Sequence, residues 1–350
     1  MNEAFHFRFG EYSTRVSFVG ELDFRGLGEP AQALCVFDRN VYRLHGAGAR
    51  GVLVLPPGEC GKTWRGAERI LKGALRAGLG RDGRIVGLGG GVICDLAAFA
   101  ASLYMRGCRL TLYPTSLLAM VDAALGGKTA INLERAKNAV GTFYPAEELR
   151  LCIPVLATLP RRELAAGLAE ALKTALLGDE ELLELLEQRR VEVLRGEPGV
   201  LEQVVFHCLA VKGRIVENDF REAGLRSILN LGHTFAHALE SATGFRRYSH
   251  GEAVAWGLAR ALDLGVRLGV SGRGLATRLT GLLRGYGYAL ETPRGVSAER
   301  LLEAMRADKK KQGGRLRLVL LRKVGEAEVR EVEEEAIRAA LAARTGTGET

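Results

Sequence analysis

The residues best equipped for chemistry lie in three short stretches: Glu170-Ala-Leu-Lys173, Asn230-Leu-Gly-His233-Thr-Phe-Ala-His237 and His250-Gly-Glu252. On a helix, Glu170 and Lys173 sit one turn apart on one face, and so do His233 and His237. His250 opens another helical stretch after a loop. A lone histidine usually fills a core or surface position, but three of the chain's six histidines fall within eighteen residues. Two histidines and one carboxylate form a common catalytic zinc set with a position left open for substrate. Spacing alone leaves His233 and His237 as alternatives. The pair could supply two ligands, or one ligand and one proton-transfer group.

Two further stretches suit anions. Leu88-Gly-Gly-Gly-Val92 stands between a strand-like and a helix-like segment. Glycine lets the main chain approach a pyrophosphate, and the helix N-terminus offers unpaired N–H groups and the positive end of its dipole. The spacing departs from GxGxxG, so a tight strand–helix turn is an equal reading. Asp38 ends an earlier strand, where an acid accepts from a ribose hydroxyl or simply caps a turn. Farther on, Pro114-Thr-Ser116 precedes Val121-Asp122 and Gly126-Gly-Lys-Thr129, and Lys137-Asn138 follows. The GGKT quartet resembles the end of a Walker A motif. Asp122 stands where the motif's first glycine belongs, which excludes an ATP P-loop. Lysines here suit a phosphate or the hydroxyls of a small substrate; the alternative is a polar surface loop.

The elements that must position these groups change character along the chain. Residues 33–37, 51–55, 84–88 and 109–113 are short apolar runs that read as buried strands, and residues 63–79 and 92–105 have helical spacing. Strands alternating with helices imply a parallel sheet with helices on its faces. From residue 156 on, Leu- and Ala-rich helical segments dominate, at 161–177, 179–195, 198–217, 227–242, 251–270 and 273–286. Residues 315–321 and 328–332 alternate around Gly325 as a small hairpin, and 345–350 read as a frayed end. The expected fold is an α/β Rossmann-like nucleotide domain over 1–155 and a mainly α-helical domain for metal and substrate over 156–350, with the site in the cleft between them.

Bulk properties exclude other classes. A chain of 350 residues accommodates two ordinary domains. Apolar residues at 47% supply large cores, and 26% charged residues argue against wholesale disorder. The net charge of +8 suits an anionic ligand only weakly, because the basic residues are scattered and the one dense run, Lys309-Lys310-Lys311, is short. No interleaving of aromatic and basic residues marks a nucleic-acid surface. The first residues lack the apolar stretch of a signal peptide, and no long uncharged apolar run spans a membrane. The six cysteines form no CxxC pair, which argues against a zinc–thiolate site or a disulfide framework and fits a reducing cytosol.

Together the motifs resemble the 3-dehydroquinate synthase family. The matching strings are Gly89-Gly-Gly-Val-Ile-Cys-Asp95, Tyr104-Met-Arg-Gly107, Pro114-Thr-Ser-Leu-Leu, Val121-Asp to Gly126-Gly-Lys-Thr129, and Lys137-Asn138. They continue with Arg162-Glu-Leu, Gly167-Leu-Ala-Glu-Ala-Leu-Lys173, Val211-Lys212, Leu225-Arg-Ser-Ile-Leu-Asn-Leu-Gly-His-Thr-Phe-Ala-His237, His250-Gly-Glu-Ala-Val254 and Asp308-Lys-Lys310. The strings fall in order, and the resemblance covers roughly residues 30 to 325.

The resemblance implies a phosphorus–oxygen lyase that forms a carbocycle. Such an enzyme converts 3-deoxy-D-arabino-heptulosonate 7-phosphate to 3-dehydroquinate and phosphate in the shikimate pathway of aromatic amino-acid biosynthesis. It further implies catalytic NAD, a zinc or cobalt ion, a cytoplasmic homodimer, and neither nucleic-acid nor membrane partners. By position, the metal ligands would be Glu170, His233 and His250, leaving His237 to substrate and proton transfer. The NAD contacts would be Asp38, Glu59, Lys62, Gly90, Gly91, Val92 and Asp95, joined by Thr115, Ser116, Lys128, Lys137 and Thr158. The substrate contacts would be Arg106, Asp122, Lys128, Asn138, Lys173, Lys212, Arg226, Asn230 and His237, with Lys309 or Lys310. The chain departs from the family pattern at Cys94, Ala98 and Ala236, which replace glycines, at Ala123 and Ala124, which replace serines, and at Phe220, which replaces an acid. No proposed catalytic group is lost.

The implied chemistry is a transient oxidation by NAD, elimination of phosphate, return of the hydride and an aldol ring closure, with a Lewis-acidic metal on adjacent hydroxyls. The alternatives are another sugar-phosphate cyclase, of inosose or valiolone type, and a metal-dependent polyol dehydrogenase with net NADH production. A binding protein without activity predicts lost ligands, and none is lost.

Overall fold

The computed structural model describes residues 2–23, 32–134, 136–309 and 316–342. The chain opens with β1 (Asn2–Phe9), β2 (Tyr12–Phe18), β3 (Ala33–Asp38), α1 (Arg39–His45), β4 (Val52–Leu55), α2 (Trp64–Arg76), β5 (Arg84–Gly89), α3 (Gly91–Leu103) and β6 (Arg109–Pro114). Next come β7 (Lys128–Leu133), β8 (Ala136–Phe143), β9 (Glu148–Leu151), α4 (Arg161–Gly178), α5 (Glu180–Gln188), α6 (Arg190–Arg195) and α7 (Pro198–Asn218). The last part holds α8 (His233–Ala242), α9 (His250–Arg267), α10 (Arg273–Gly285), α11 (Ala298–Lys309), β10 (Arg317–Lys323), β11 (Glu326–Glu331) and α12 (Glu334–Ala342). Two compact units result: Met1–Leu164 with Pro198–Arg221, and Ala165–Glu197 with Glu222–Thr350.

The first unit carries a seven-stranded sheet of order β1-β2-β9-β6-β5-β3-β4. Only β1 and β2 pair antiparallel in it; the other neighbours are parallel. β3 and β5 are buried almost end to end, which is why they read as continuous apolar runs rather than alternating ones. Ala33, Cys35 and Phe37 of β3, Val86 and Leu88 of β5 and Tyr113 of β6 form a core cluster.

Two hairpins, β1–β2 and β7–β8, went unexpected. The first has a consequence for the division of the chain. Phe5, Phe7 and Phe9 occupy every second position of β1 and so share one face. Their rings stack at 5.2 and 5.9 Å. Phe206 of α7 lies 4.7 Å from Phe5, and Phe220, just past α7, stacks on Phe9 at 5.9 Å. Burying a ring of this size contributes about 1.5–3 kcal/mol. This ladder packs Pro198–Arg221 with the first unit, whereas the sequence division at 155/156 placed it with the helical half.

The second unit is mainly helical. The helix expected over 179–195 is broken at Arg189 into α5 and α6. The helix expected over 227–242 is a 3-10 turn, Leu225–Asn230, followed by α8. Gly232, at φ +77, turns the chain between them, a conformation that costs glycine nothing. The hairpin around Gly325 is β10–β11; α1, α11 and α12 were not anticipated. Residues 345–350 and Lys310-Lys311 lie outside the described residues.

Small residues bring α4, α8 and α9 together main chain to main chain. A Cβ at Gly257 of α9 would sit 2.2 Å from the Gly232 carbonyl oxygen, and one at Gly251 would sit 2.3 Å from Ala166 Cα of α4. Glu170, His233 and His250 are carried by these three helices.

Candidate active site

Glu170 lies on α4, His233 is the first residue of α8, and His250 is the first residue of α9. The start of α9 is fixed by a capping box, in which Ser249 accepts from the Glu252 N–H and the Glu252 carboxylate accepts from the Ser249 N–H at 2.6 Å. Such a cap contributes about 1 kcal/mol and, here, sets the direction of His250.

One ligand atom from each of Glu170, His233 and His250 falls within 4.8 Å of the others. His233 Nε2 lies 3.3 Å and His250 Nε2 3.2 Å from the same oxygen, Glu170 Oε1. His233 Nδ1 faces the Leu231 carbonyl at 3.3 Å, and His250 Nδ1 faces the Glu240 carboxylate at 3.5 Å. Carbonyl and carboxylate oxygens only accept, so each Nδ1 carries a proton, and each Nε2 meets Glu170 either as a second N–H donor or, with a cation between them, as a lone-pair ligand. The donor set therefore fits a divalent ion on Glu170 and the two Nε2 atoms.

Charge in the centre agrees. Glu170 is wholly buried, which by itself raises its pKa, but the Lys173 ammonium and His233 hold it well below the usual carboxylate range. Lys173 Nζ lies 2.6 Å from Glu170 Oε2, which accepts no hydrogen bond of regular geometry. Burial lowers His233. Burial would lower His250 too, but its hydrogen bonds to Glu170 and Glu240 outweigh that and raise it to about 10. The two carboxylates draw positive charge to His250, the charge that a divalent ion would supply in its place. Exposure rises from 0% at Glu170 through 12% at His233 to 31% at His250, so the ligand set is closed below and open on one side. His237, one turn after His233, is exposed, and its ring stands perpendicular to that of His233 at 5.6 Å.

Arg226 is buried in the turn before α8, and Asn230 donates to Glu222 Oε1 at 3.1 Å. Lys309 ends α11, where the main chain alone is described, and Lys310 lies outside the described residues.

In the first unit the glycine turn caps α3. Gly90 supplies no side-chain cap, and its carbonyl accepts from the Ile93 and Cys94 N–H groups at 3.0 and 3.1 Å. Thr115 is buried and donates its N–H to the Gly89 carbonyl at 2.9 Å. Ser116 Oγ caps the next turn, accepting from Ala119 N–H. Asp38 does cap α1: its carboxylate accepts from the Asn40 and Val41 N–H groups at 2.8 and 3.0 Å. Thr158 is held by His45 at 2.9 Å.

Lys62, Asp95 and Asn138 form one cluster: the buried Lys62 pairs with Asp95 and donates to Asn138 Oδ1 at 2.5 Å. Burial pushes the Asp95 carboxyl up to about 6 against the pull of Lys62. Asp122 sits in a π-helical turn, Ala119–Ala123, and receives Lys212 of α7 on both its carboxylate and its main-chain oxygen at 2.5 Å. Arg106 and Asn138 take positive φ, at +67 and +51, which costs a side chain about 1–3 kcal/mol and clusters at functional sites. Glu59, Lys128 and Lys137 are exposed.

Sequence reasoning missed Asn132, which donates to Glu59 and accepts from the Asn138 N–H. It also missed Glu222, beside Asn230 at φ +58, and Glu240, beside His250. Glu240 follows His233 by seven residues, two helical turns along the same face, and that spacing was a readable signal.

Residues 52–166 match the family model for the 3-dehydroquinate synthase N-terminal region, and residues 167–311 the one for the C-terminal region. The chain belongs to the 3-dehydroquinate synthase family. It is 41% identical over 337 residues to the 3-dehydroquinate synthase of Symbiobacterium thermophilum, covering 93% of this chain and 94% of that one. It is 43% identical over 290 residues to that of Azotobacter vinelandii, covering 83% and 79%. Among solved structures, the 2-epi-5-epi-valiolone synthase of Streptomyces hygroscopicus subsp. jinggangensis, with NAD+ and Zn2+ bound, superposes with a TM-score of 0.85 at 28% identity over 95% of this chain and 97% of that one. A 2-deoxy-scyllo-inosose synthase complexed with carbaglucose-6-phosphate, NAD+ and Co2+ gives 0.85 at 25% identity over 96% and 98%. A probable glycerol dehydrogenase of Sinorhizobium meliloti 1021, at 20% identity and 0.62 over 90% of each chain, shares the fold.

Proposed function

We propose that the chain converts 3-deoxy-D-arabino-heptulosonate 7-phosphate to 3-dehydroquinate and phosphate, using NAD on the first unit and a divalent zinc or cobalt ion on the second. The observation that carries the metal part is the convergence of two imidazole Nε2 atoms on one buried Glu170 oxygen. Family membership supplies the reaction, and the matches at 41–43% identity to 3-dehydroquinate synthases favour it over the valiolone and inosose cyclases at 28% and 25%.

NAD supplies a reversible hydride acceptor, held by Asp38, Glu59, Lys62, the glycine turn Gly90-Gly91-Val92, Asp95, Thr115, Ser116, Lys137 and Thr158. The metal, held by Glu170, His233 and His250, supplies Lewis acidity toward adjacent hydroxyls. Everything else is the work of side chains. The buried Lys173 ammonium balances the buried Glu170 carboxylate, so the centre stays ionised without protonating its own ligand. His237 is exposed one turn from His233 and takes or returns the proton of a substrate hydroxyl. Lys128, Lys212, Arg106 and Asn138 offer donors to the phosphate, with Lys212 held in position by Asp122. Arg226, Asn230 and a lysine of the 309–310 pair orient the substrate's acid and hydroxyl groups.

The same reading makes the enzyme a cytoplasmic homodimer without nucleic-acid or membrane partners. Its support is the resemblance, with none of the six cysteines in a disulfide; no helix among the described residues is long and apolar enough to cross a membrane. A substrate panel tests the assignment. With NAD and zinc, phosphate is expected from the heptulosonate phosphate far above heptulose or hexose phosphates. Release from a neutral sugar phosphate alone would assign the chain to another cyclase.

A further inference from the structure

The two histidines of the metal centre are held from behind by different chemistry. His233 Nδ1 faces a neutral main-chain carbonyl, that of Leu231, at 3.3 Å. His250 Nδ1 faces a carboxylate, Glu240 Oε1, at 3.5 Å. Glu240 is only 6% exposed. A carboxylate is buried at considerable cost unless a partner offsets it. It reaches His250 from α8, the helix that also begins with His233, so one helix supplies a ligand directly and controls the other ligand through its far nitrogen.

We propose that Glu240 is a positioning residue of the metal centre: it holds the proton of His250 on Nδ1 and thereby aims the Nε2 lone pair at the site shared with Glu170. His250 is 31% exposed, so without Glu240 its ring is free to adopt the opposite tautomer or rotate toward solvent. With it, the ring is clamped between two carboxylates, 3.2 Å from Glu170 on one side and 3.5 Å from Glu240 on the other. A carboxylate behind an imidazole also makes that imidazole the stronger donor, which the Leu231 carbonyl does less well for His233. The inference rests on the reading of Glu170, His233 and His250 as metal ligands.

The test uses Co2+ as the probe, titrated into metal-free full-length wild type and E240Q. Bound cobalt is read by its visible absorption and by competition with a chelator, without turnover. NAD affinity, read by protein fluorescence, reports whether the rest of the chain is intact. Glutamine can offer its NH2 group to Nδ1 and so favour the wrong tautomer. Co2+ affinity in E240Q is expected to fall about 10- to 100-fold with NAD affinity unchanged, and E240D, which keeps the charge on a shorter arm, is expected to recover part of the loss. Unaltered Co2+ affinity in E240Q overturns the inference. So does a matching loss of NAD affinity, which would make Glu240 a general structural residue. Wild type that binds no Co2+ overturns the metal reading itself.

Discussion

Gly251→Ala adds one methyl group where the first turn of α9 meets α4. The new Cβ would lie 2.3 Å from Ala166 Cα, 2.8 Å from its carbonyl oxygen and 3.0 Å from its carbonyl carbon. All three are main-chain atoms, so no side chain can turn aside. One helix must retreat by about 1 Å to restore ordinary contact. As overpacking, this costs about 1–3 kcal/mol of stability. The cost to the site is larger in proportion. Gly251 follows His250 directly, and Ala166 precedes Glu170 by one helical turn, so the displacement acts on the pair now 3.2 Å apart. A shift of about 1 Å is several times the ~0.2 Å latitude of metal–ligand distances. The variant is expected to fold, with a lowered thermal midpoint, but to lose zinc on dialysis and to release no phosphate. Bound zinc measured by elemental analysis, beside a circular dichroism melt, decides it. A G251A protein that keeps one zinc per chain and turns over like wild type would refute the close-packing account of how the ligands are brought together.

Other outcomes follow from the first unit. Lys212→Met removes one partner of Asp122, whose side chain is 26% exposed; after discounting for that exposure, the loss is about 2 kcal/mol in urea unfolding, with KM for substrate raised and NAD affinity unchanged. Asp95 has its folded pKa raised to about 6 from an ordinary 3.8, so its stabilising contribution is complete below 3.8 and is lost as pH rises through about 6. Asp95→Asn should therefore gain stability relative to wild type across that window, and a stability difference that is flat with pH would contradict the burial argument. Phe220→Ala removes a ring that stacks on Phe9 and lies 5.4 Å from Phe143, a loss of about 3–5 kcal/mol by denaturant unfolding.

What the sequence displayed clearly was whatever rests on local pattern. Parallel strands buried on both faces appeared as apolar runs, and the helical half appeared through its leucine spacing. The metal set was visible as residue types, but His233 and His237 stayed ambiguous because a helix places both on one face; the structure separates them, turning His233 Nε2 toward Glu170 and leaving His237 exposed. The missing pieces depended on distant partners. The burial of β1's alternating phenylalanines became evident only once Phe206 of α7 and Phe220 just past it stacked on them, about 200 residues away. The break before α8 depends on Gly232 turning beneath α9, which apolar periodicity does not report. Phe220, conspicuous as a departure from an acidic residue, proves to be an apolar anchor.

The central claim is that NAD and the Glu170–His233–His250 metal serve a lyase with no net redox change. Phosphate release and nicotinamide absorbance, followed together in one cuvette with enzyme, NAD, zinc and 3-deoxy-D-arabino-heptulosonate 7-phosphate, test it most directly. Many equivalents of phosphate per enzyme with no accumulating NADH are predicted. One NADH for each substrate consumed, or NADH without phosphate, would contradict it and assign the chain to polyol oxidation instead.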